Sequence, residues 1–333
     1  MVRRASAVLM LGGLLFVSSP LPALAATTTS ANATNSANTL KVSPVRSDIS
    51  VTAGTSGTVK TVVSNLTSAP ITIHPIENDF VAGDENGTPS IILDENSYAP
   101  THSLKRFMTP LTDFTIPAKS AKEITVTITV PKTAQAGGYY GAIRFAPASA
   151  AGSKSVNLNA SVASLILMTV PGPTTEKVTM TNFDIQQKGE TASNFRSPDN
   201  LSVLLRFKNE GNIQEGPFGQ VYVKKGDKVV YTYSFNQQTP KEVVLPDSAR
   251  KWSVPLKNIE KFGKYKIGGS FSYGASGQAI EIEKTIWIVP TAYIIGAIVA
   301  VVLLVLMIVG LIMLIKSRKS RKSLHRGGNY RRY

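Results

Sequence analysis

The sequence predicts an all-β protein, with two tandem immunoglobulin-like β-sandwiches followed by one transmembrane α-helix. Three observations predict this fold class: hydrophobic residues with a two-residue period, a repeated glycine–tyrosine segment, and one long apolar run near the carboxyl end. Turn-forming segments separate the short apolar runs every 8 to 12 residues or so, which favours antiparallel sandwiches. The chain has 333 residues, enough for two such domains.

The first 25 residues have the pattern of a secretory signal peptide. Arg3 and Arg4 precede an apolar run from Ala5 to Val17, and an Ala-x-Ala motif ends at Ala25. This run is shorter than a helix needs to cross roughly 30 Å of hydrocarbon, so we expect cleavage and not an uncleaved anchor. Residues 26–39 are rich in Thr, Ser and Asn and are predicted to form a flexible leader.

The clearest strand signal lies in the segment AKEITVTITVP. Ile124, Val126 and Ile128 alternate with threonines, and a similar alternation runs from Leu201 to Phe207. Residues 40–170 are predicted to form the first sandwich and residues 177–289 the second. The segment PGPTT falls in the linker between them, residues 171–176.

A repeated segment supports this division into two copies of one fold. GGYYGAIRF begins at Gly137 and GKYKIGGSF begins at Gly263, and Gly, Tyr and Phe coincide at their first, third and ninth positions. The flanking segments IPAKSAKEI and LPDSARKW match as well. A phosphate-binding loop would place its glycines at a strand-to-helix turn, with Lys and Ser or Thr following; the observed alternation favours a strand.

The repeated strand supplies the candidate site residues. Tyr139 and Tyr265, near the two strand starts, are predicted to be structural tyrosine corners that bond back to upstream backbone. Tyr140 and Arg144 are predicted to face solvent and to form a candidate binding surface. The alternative is a solvated strand face without a partner. The loop from Asp84 to Pro89 is the next candidate surface.

The carboxyl end predicts a single membrane crossing. Residues 291–315 are predicted to form a transmembrane helix, since the run from Ala292 to Ile315 has no charge and no proline. The tail, residues 316–333, has eight Lys and Arg and no acidic residue, which predicts a cytoplasmic tail and an extracellular amino terminus in the cell membrane. We expect this tail to contact anionic lipid, so the net charge of +15 does not indicate nucleic-acid binding.

The residues give little support for catalysis, a cofactor or a metal. The chain has no cysteine, which excludes disulfides and thiolate metal sites. His74 and His102 are predicted to be ordinary polar or turn histidines, and the segment beginning at Asp84 lacks the spacing of a calcium loop. Neither a G-x-S-x-G nor an H-E-x-x-H motif occurs. We therefore expect a protein that is not an enzyme.

The segments VSP, VSNLTSAPITI, ITVTITVP, GGYYGAIRF and LPDSARKWSVPL occur here in an order similar to that of bacterial WxL-interacting surface proteins. This resemblance implies a peptidoglycan-binding first domain and a partner-binding second domain. We expect a membrane-anchored surface protein that binds cell-wall peptidoglycan or a secreted or surface protein. The alternative is a membrane-tethered chaperone or assembly factor. A signalling receptor is disfavoured because the tail is too short for an effector domain.

Overall fold

The computed structural model describes residues 39–148 and 161–324, with side chains as far as Lys316. The predicted signal peptide, nearly all of the predicted leader and the end of the basic tail lie outside these residues. The described chain consists of two β-sandwiches of immunoglobulin type followed by one helix, so the predicted fold class is confirmed.

Nine strands build the first sandwich. They are β1 (Leu40–Ser43), β2 (Arg46–Ser50), β3 (Ser56–Asn65), β4 (Ile71–Ala82), β5 (Pro89–Ile91), β6 (Phe114–Ile116), β7 (Ala121–Thr129), β8 (Gly137–Pro147) and β9 (Val162–Val170). One sheet has the order β1-β3-β7. The other has the order β2-β9-β8-β4-β5, with β6 paired to β4, and a short 3₁₀-helix, Lys105–Phe107, lies between β5 and β6.

Nine further strands build the second sandwich. They are β10 (Val178–Gln187), β11 (Glu190–Thr191), β12 (Asn194–Phe195), β13 (Leu201–Asn209), β14 (Phe218–Lys225), β15 (Lys228–Phe235), β16 (Ala249–Pro255), β17 (Gly263–Tyr273) and β18 (Gln278–Ile288). They form a four-stranded sheet, β11-β10-β13-β16, opposite a five-stranded sheet, β12-β18-β17-β14-β15.

The two-residue period sets the core of each sandwich. In β7, Ile124, Val126 and Ile128 are buried while Thr125 and Thr129 are exposed, because successive strand residues point to opposite faces. The alternate residues of β13 from Leu201 to Phe207 are buried in the second core in the same way.

A buried asparagine marks the same turn in both sandwiches. The side-chain amide of Asn65 donates to the carbonyl of Ala69 at 2.7 Å, and that of Asn209 donates to the carbonyl of Ile213 at 2.7 Å. The two turns share this bond because each asparagine ends a strand that must be followed by a tight reversal with satisfied backbone groups.

The helix α1 (Thr291–Leu324) follows β18 after two residues. Its segment Thr291–Lys316 has 26 residues, and the most apolar 18-residue window in it has a mean hydropathy of 3.5, so it is long and apolar enough to cross a membrane. The helix continues beyond the predicted residue 315 into the basic segment, where lysine and arginine are themselves good helix formers.

Candidate functional site

Tyr140 lies between the two sandwiches and not on a solvent face. Its side chain is only 3% exposed, and its hydroxyl donates to the side-chain oxygen of Gln214 at 2.9 Å. Burial raises the pKa of this phenol above its ordinary value. The expectation that Tyr140 faces solvent is wrong, because the second sandwich covers the outward face of β8. A role of Tyr140 in binding stays a prediction, but the solvent exposure on which that prediction was based is absent.

The backbone and side chains around Tyr140 join the two sandwiches. The amide of Gly138 donates to the carbonyl of Asn212 at 2.8 Å, and the Asn212 side chain donates to the carbonyl of Ala136 at 3.0 Å. Gln214 also donates to the Thr169 hydroxyl at 3.2 Å. We call this contact region the joint.

An apolar cluster completes the joint. Its buried members all belong to the first sandwich: Phe80, Tyr140, Ala142 and Leu167. Partly buried residues from both sandwiches pack against them: Ile91, Leu165, Val243 and Leu245. The Phe80 and Tyr140 rings meet edge to face with centroids 6.0 Å apart. Burial of this apolar surface favours contact between the two sandwiches.

The loop from Asp84 to Pro89 also belongs to the joint. The carbonyl of Glu85 accepts from the amide of Lys251 at 2.6 Å, and its carboxylate accepts from Nε of Arg206 at 3.0 Å. Arg206 lowers the pKa of Glu85. Asp84 accepts from the amides of Asn86 and Thr88, so it caps this turn. The loop is therefore a contact between domains, and its use as a free binding surface stays an untested prediction.

Arg144 is partly exposed at the edge of the same face. Its guanidinium lies 3.4 Å from the side-chain oxygen of Asn78 and 3.9 Å from the carboxylate of Glu95. The neighbouring Asp79 is fully buried and accepts from the amides of Ala99 and Lys105, which ties the long segment after β5 to β4. Arg144 thus contacts its own domain and leaves part of its side chain to solvent.

A cavity of about 140 Å³ lies within the joint. Arg46 and Arg250 line it beside apolar side chains, and Nε of Arg250 has no hydrogen-bond partner among the described residues. Arg46 is paired with Asp48 at 2.7 Å and Arg250 with Glu242 at 2.5 Å. Burial lowers the pKa of Arg250, and Glu242 opposes that effect. Since both guanidinium charges are compensated, we assign this cavity to the structure of the joint.

The hydroxyls of the two corner tyrosines contact upstream backbone. Tyr139 donates to the carbonyl of Gln135 at 2.9 Å, and Tyr265 accepts from the amide of Glu260 at 2.9 Å. Gly137 and Gly263, which begin the two strands, have φ of 148° and 145°, a region that L side chains rarely adopt. The energetic role of the two tyrosines stays a prediction.

The two described histidines have local partners. Nδ1 of His74 is 2.6 Å from a carboxylate oxygen of Asp113 at the surface, and Nδ1 of His102 is 2.6 Å from the carbonyl oxygen of Gly138. His102 has a φ of 59°, which places it in a turn. Within residues 39–148 and 161–324, no cluster of three or more His, Asp or Glu could hold a metal ion.

An open sheet edge lies in the second sandwich. The strand β15 is the outermost strand of its sheet and pairs only with β14. Tyr231 and Tyr233 pair with the buried Val223 and Val221, so they lie on the core side, yet Tyr233 is 36% exposed. This exposure agrees with the outermost position of β15 in its sheet.

Only one end of this edge is capped. The Asn258 side chain donates to the carbonyl of Val230 at 3.0 Å. No other backbone hydrogen bond reaches the outer edge of β15 from the described parts of the chain. Exposed edges with apolar side chains are templates for pairing with another strand. No individual strand predicted from the sequence corresponds to β15. The available signal for a strand was the segment KVVYTYSF, which is rich in β-branched and aromatic residues.

No protein-family model matches the chain, and no curated protein is a detectable relative. The resemblance to WxL-interacting proteins therefore stays a prediction beyond the immunoglobulin-like fold. Solved structures similar to this chain include a class 5 fimbriae chaperone, CfaA, with 12% identity over 74% of this chain and 98% of that chain and a TM-score of 0.39. The E. coli chaperone DraB has 15% identity over 74% and 96%, with a TM-score of 0.34.

A PapD-like domain of human CEP192 covers 48% of this chain at 11% identity, with 99% of that domain covered and a TM-score of 0.27. Similarities this distant carry no argument about what the chain binds. The open edge of β15 is the candidate functional surface, because another protein could extend its sheet there.

Proposed function

We propose that this protein is a non-enzymatic, membrane-anchored bacterial surface protein that holds a secreted or surface protein outside the cell. In this proposal α1 crosses the cell membrane with the basic tail inside, and both sandwiches lie outside. The partner contributes an extended segment that adds to β15 by strand addition. The single observation that carries the proposal is the open edge of β15, on which Tyr233 is 36% exposed.

The geometry of β15 suits an extended polypeptide. The strand has eight residues, which at about 3.4 Å per residue offers an edge of roughly 27 Å. Backbone hydrogen bonds along such an edge supply affinity for any extended chain, and alternate side chains supply specificity. Tyr231 and Tyr233 would contact the partner's core-facing side chains, and the pKa of Tyr231 is raised by burial and by the nearby Tyr233.

An assembly factor would use the same edge. An anchor keeps its bound segment, whereas a chaperone releases the segment once the partner pairs elsewhere. The open edge therefore also favours the alternative of a membrane-tethered chaperone. The open edge of β15 does not support peptidoglycan binding, which is a competing outcome of the experiment.

The experiment is capture of secreted proteins on intact cells, which only an outward-facing protein permits. We expect the Tyr231→Ser, Tyr233→Ser variant to lose capture, because the apolar side chains that the partner covers are gone. The matched control is Thr232→Ala, Ser234→Ala on the opposite face of the same strand, which should retain capture. Bound partner should also slow hydrogen exchange of the β15 amides.

Sedimentation with purified peptidoglycan is measured in parallel. Unchanged capture by the tyrosine variant would contradict strand addition at β15. Cosedimentation with peptidoglycan, without capture of any protein, would favour the wall-binding function instead.

A further inference from the structure

Exposed aromatic side chains gather at the end of the second sandwich that leads into α1. Phe262, in the loop between β16 and β17, is 50% exposed, Trp287 in β18 is 44% exposed, and Tyr293 in the first turn of α1 is 60% exposed. The rings of Phe262 and Tyr293 stack with centroids 5.0 Å apart and an interplanar angle of 25°. Three large aromatic rings thus lie at one end of the domain without being covered.

The connection to the helix is short and tied to the sandwich. Only Val289 and Pro290 separate β18 from α1. The amide of Val289 donates to the carbonyl of Phe195 at 2.8 Å, and the amide of Tyr293 donates to the carbonyl of Pro290 at 3.0 Å. Because the apolar helix begins at Thr291, this end of the sandwich lies beside the point where the helix would enter a bilayer.

The same end is basic. Lys264 lies in register with Trp287 and places Nζ 5.6 Å from the centre of its ring. Lysines are concentrated in the adjoining hairpin and loop: Lys225, Lys228, Lys257, Lys261 and Lys264. Two carboxylates accompany them, Asp227 and Glu260, and Glu260 is paired with Lys225 at 2.6 Å. This end therefore keeps a positive excess beside its exposed rings.

We propose that this end of the second sandwich, which we call the base, docks on the outer surface of the bilayer that α1 crosses. Phe262 and Trp287 enter the interfacial region, where amphipathic and aromatic rings are favoured, and the lysines contact anionic lipid headgroups. The occupant is the lipid surface because α1 places it within two residues of the base. A partner protein on the same rings is the competing outcome.

Docking of the base would fix the height and direction of the open edge. The strand β15 begins at the base with Lys228 and runs away from it, so a docked sandwich would hold the edge upright just outside the membrane. The inference does not depend on partner capture, and either proposal can fail alone.

The absence of cysteine permits a direct test in the full chain. The variant Phe262→Cys is labelled with an apolar fluorophore and reconstituted in phosphatidylcholine–phosphatidylglycerol vesicles that carry a shallow nitroxide quencher on the lipid. The matched control is Ser276→Cys in the opposite turn, which the 11 residues of β17 separate from the base by roughly 35 Å. We expect strong quenching at position 262 and little at 276.

Quenching at position 262 that is no stronger than at position 276 would overturn docking. Charge-reversal variants test the contact between the base lysines and the lipid headgroups separately. In the labelled Phe262→Cys chain, Lys257→Glu, Lys261→Glu and Lys264→Glu together should lower the quenching towards that of the control position. The matched charge reversal in the first sandwich, Lys41→Glu, Lys122→Glu and Lys132→Glu, should leave it unchanged.

The lipid composition separates headgroup binding from aromatic insertion. Removing phosphatidylglycerol should reduce quenching at position 262 and remove the effect of the base lysines. Quenching that is insensitive both to phosphatidylglycerol and to the lysine reversal would overturn the role given to the lysines. Quenching that appears only after a secreted protein is added would assign the aromatic rings to that protein.

Discussion

The glycine-rich strands β8 and β17 occupy the same place in their sandwiches, yet their outward faces differ. Tyr140 and Lys266 follow the corner tyrosine in each strand; Tyr140 is buried in the joint, whereas Lys266 is exposed and paired with Glu283 at 3.2 Å. The inward residues Phe145 and Phe271 are buried in both. The difference teaches that one strand pattern serves either as an interface between domains or as a solvated charged face.

The two sandwiches also differ in the segment that follows β4 in the first sandwich and β14 in the second. In the first sandwich, β4 leads to the Asp84–Pro89 loop, which contacts the second sandwich through Glu85. In the second sandwich, β14 turns directly into β15 and leaves an open edge. The first sandwich thus uses this loop to build the joint, whereas β15 of the second sandwich has an unpaired outer edge.

The largest expected effect comes from substituting the two matched outward residues. Tyr140→Ala should lower the free energy of unfolding by about 3 to 5 kcal/mol, because it removes a buried aromatic ring and leaves a cavity. Lys266→Ala should change it by less than about 0.5 kcal/mol, since its ion pair is exposed to solvent. Urea unfolding of the full chain in detergent, followed by far-ultraviolet circular dichroism, measures both.

This result would follow from the burial of Tyr140, whereas the sequence predicted that Tyr140 faces solvent. Substitution of a solvent-exposed tyrosine would change the free energy of unfolding only slightly. Similar small decreases in the free energy of unfolding for Tyr140→Ala and Lys266→Ala would mean that the joint contributes little to stability. The two strands would then differ in burial but not in their contribution to stability.

A second comparison sets two buried carboxyl groups against each other. Asp79 in the first sandwich accepts two backbone amides, whereas Glu215 in the second accepts only the amide of Gly274, at 3.0 Å. Burial raises the pKa of Glu215 to about 7, with a further contribution from Glu176. Because this folded pKa exceeds the unfolded value, the stability it contributes is complete below about pH 4.5 and is lost as pH rises through 7.

The loss should approach roughly 3 kcal/mol, and Glu215→Gln should remove this part of the pH dependence. Urea unfolding between pH 4.5 and 8 measures the slope. The matched variant Glu176→Gln should reduce the slope only in part, because burial of Glu215 remains. A slope in the Glu215→Gln variant as steep as that of the unchanged chain would assign the titration to another group.

The sequence sufficed for those parts of the fold that depend on local alternation. The strands β7, β8 and β13, the repeated glycine–tyrosine segment and the apolar helix each have a signal within about ten to 25 consecutive residues. The joint could not be predicted in this way. Tyr140 is buried against the second sandwich and bonds to Gln214, 74 positions away in the sequence. Its place in the alternating pattern of β8 is the same as that of an exposed residue.

The open edge of β15 could not be predicted from the sequence for the same reason. Nothing in KVVYTYSF distinguishes an outermost strand from a central one, because strand order follows from packing of the whole sheet. The exposure of Tyr233 agrees with the outermost position of β15, which becomes evident only once all of the strands are placed.

The smallest expected effects concern the corner tyrosines, which the sequence treats as equivalent. Tyr265 is fully buried and accepts a backbone amide, whereas Tyr139 is partly exposed and donates to a carbonyl. Loss of a hydroxyl costs most where water cannot replace it. Tyr265→Phe should therefore lower the free energy of unfolding by about 1 to 3 kcal/mol, and Tyr139→Phe by about 0.5 to 1 kcal/mol.

Urea unfolding of the two single variants and of the double variant measures these losses. The two hydroxyls lie in different sandwiches and share no partner, so their effects should add to within about 0.5 kcal/mol. A larger loss for Tyr139→Phe than for Tyr265→Phe would contradict the role given to burial. No loss in either variant would show that neither hydroxyl stabilises its corner, and the glycines at the strand starts would then remain as the shared feature that sets both turns.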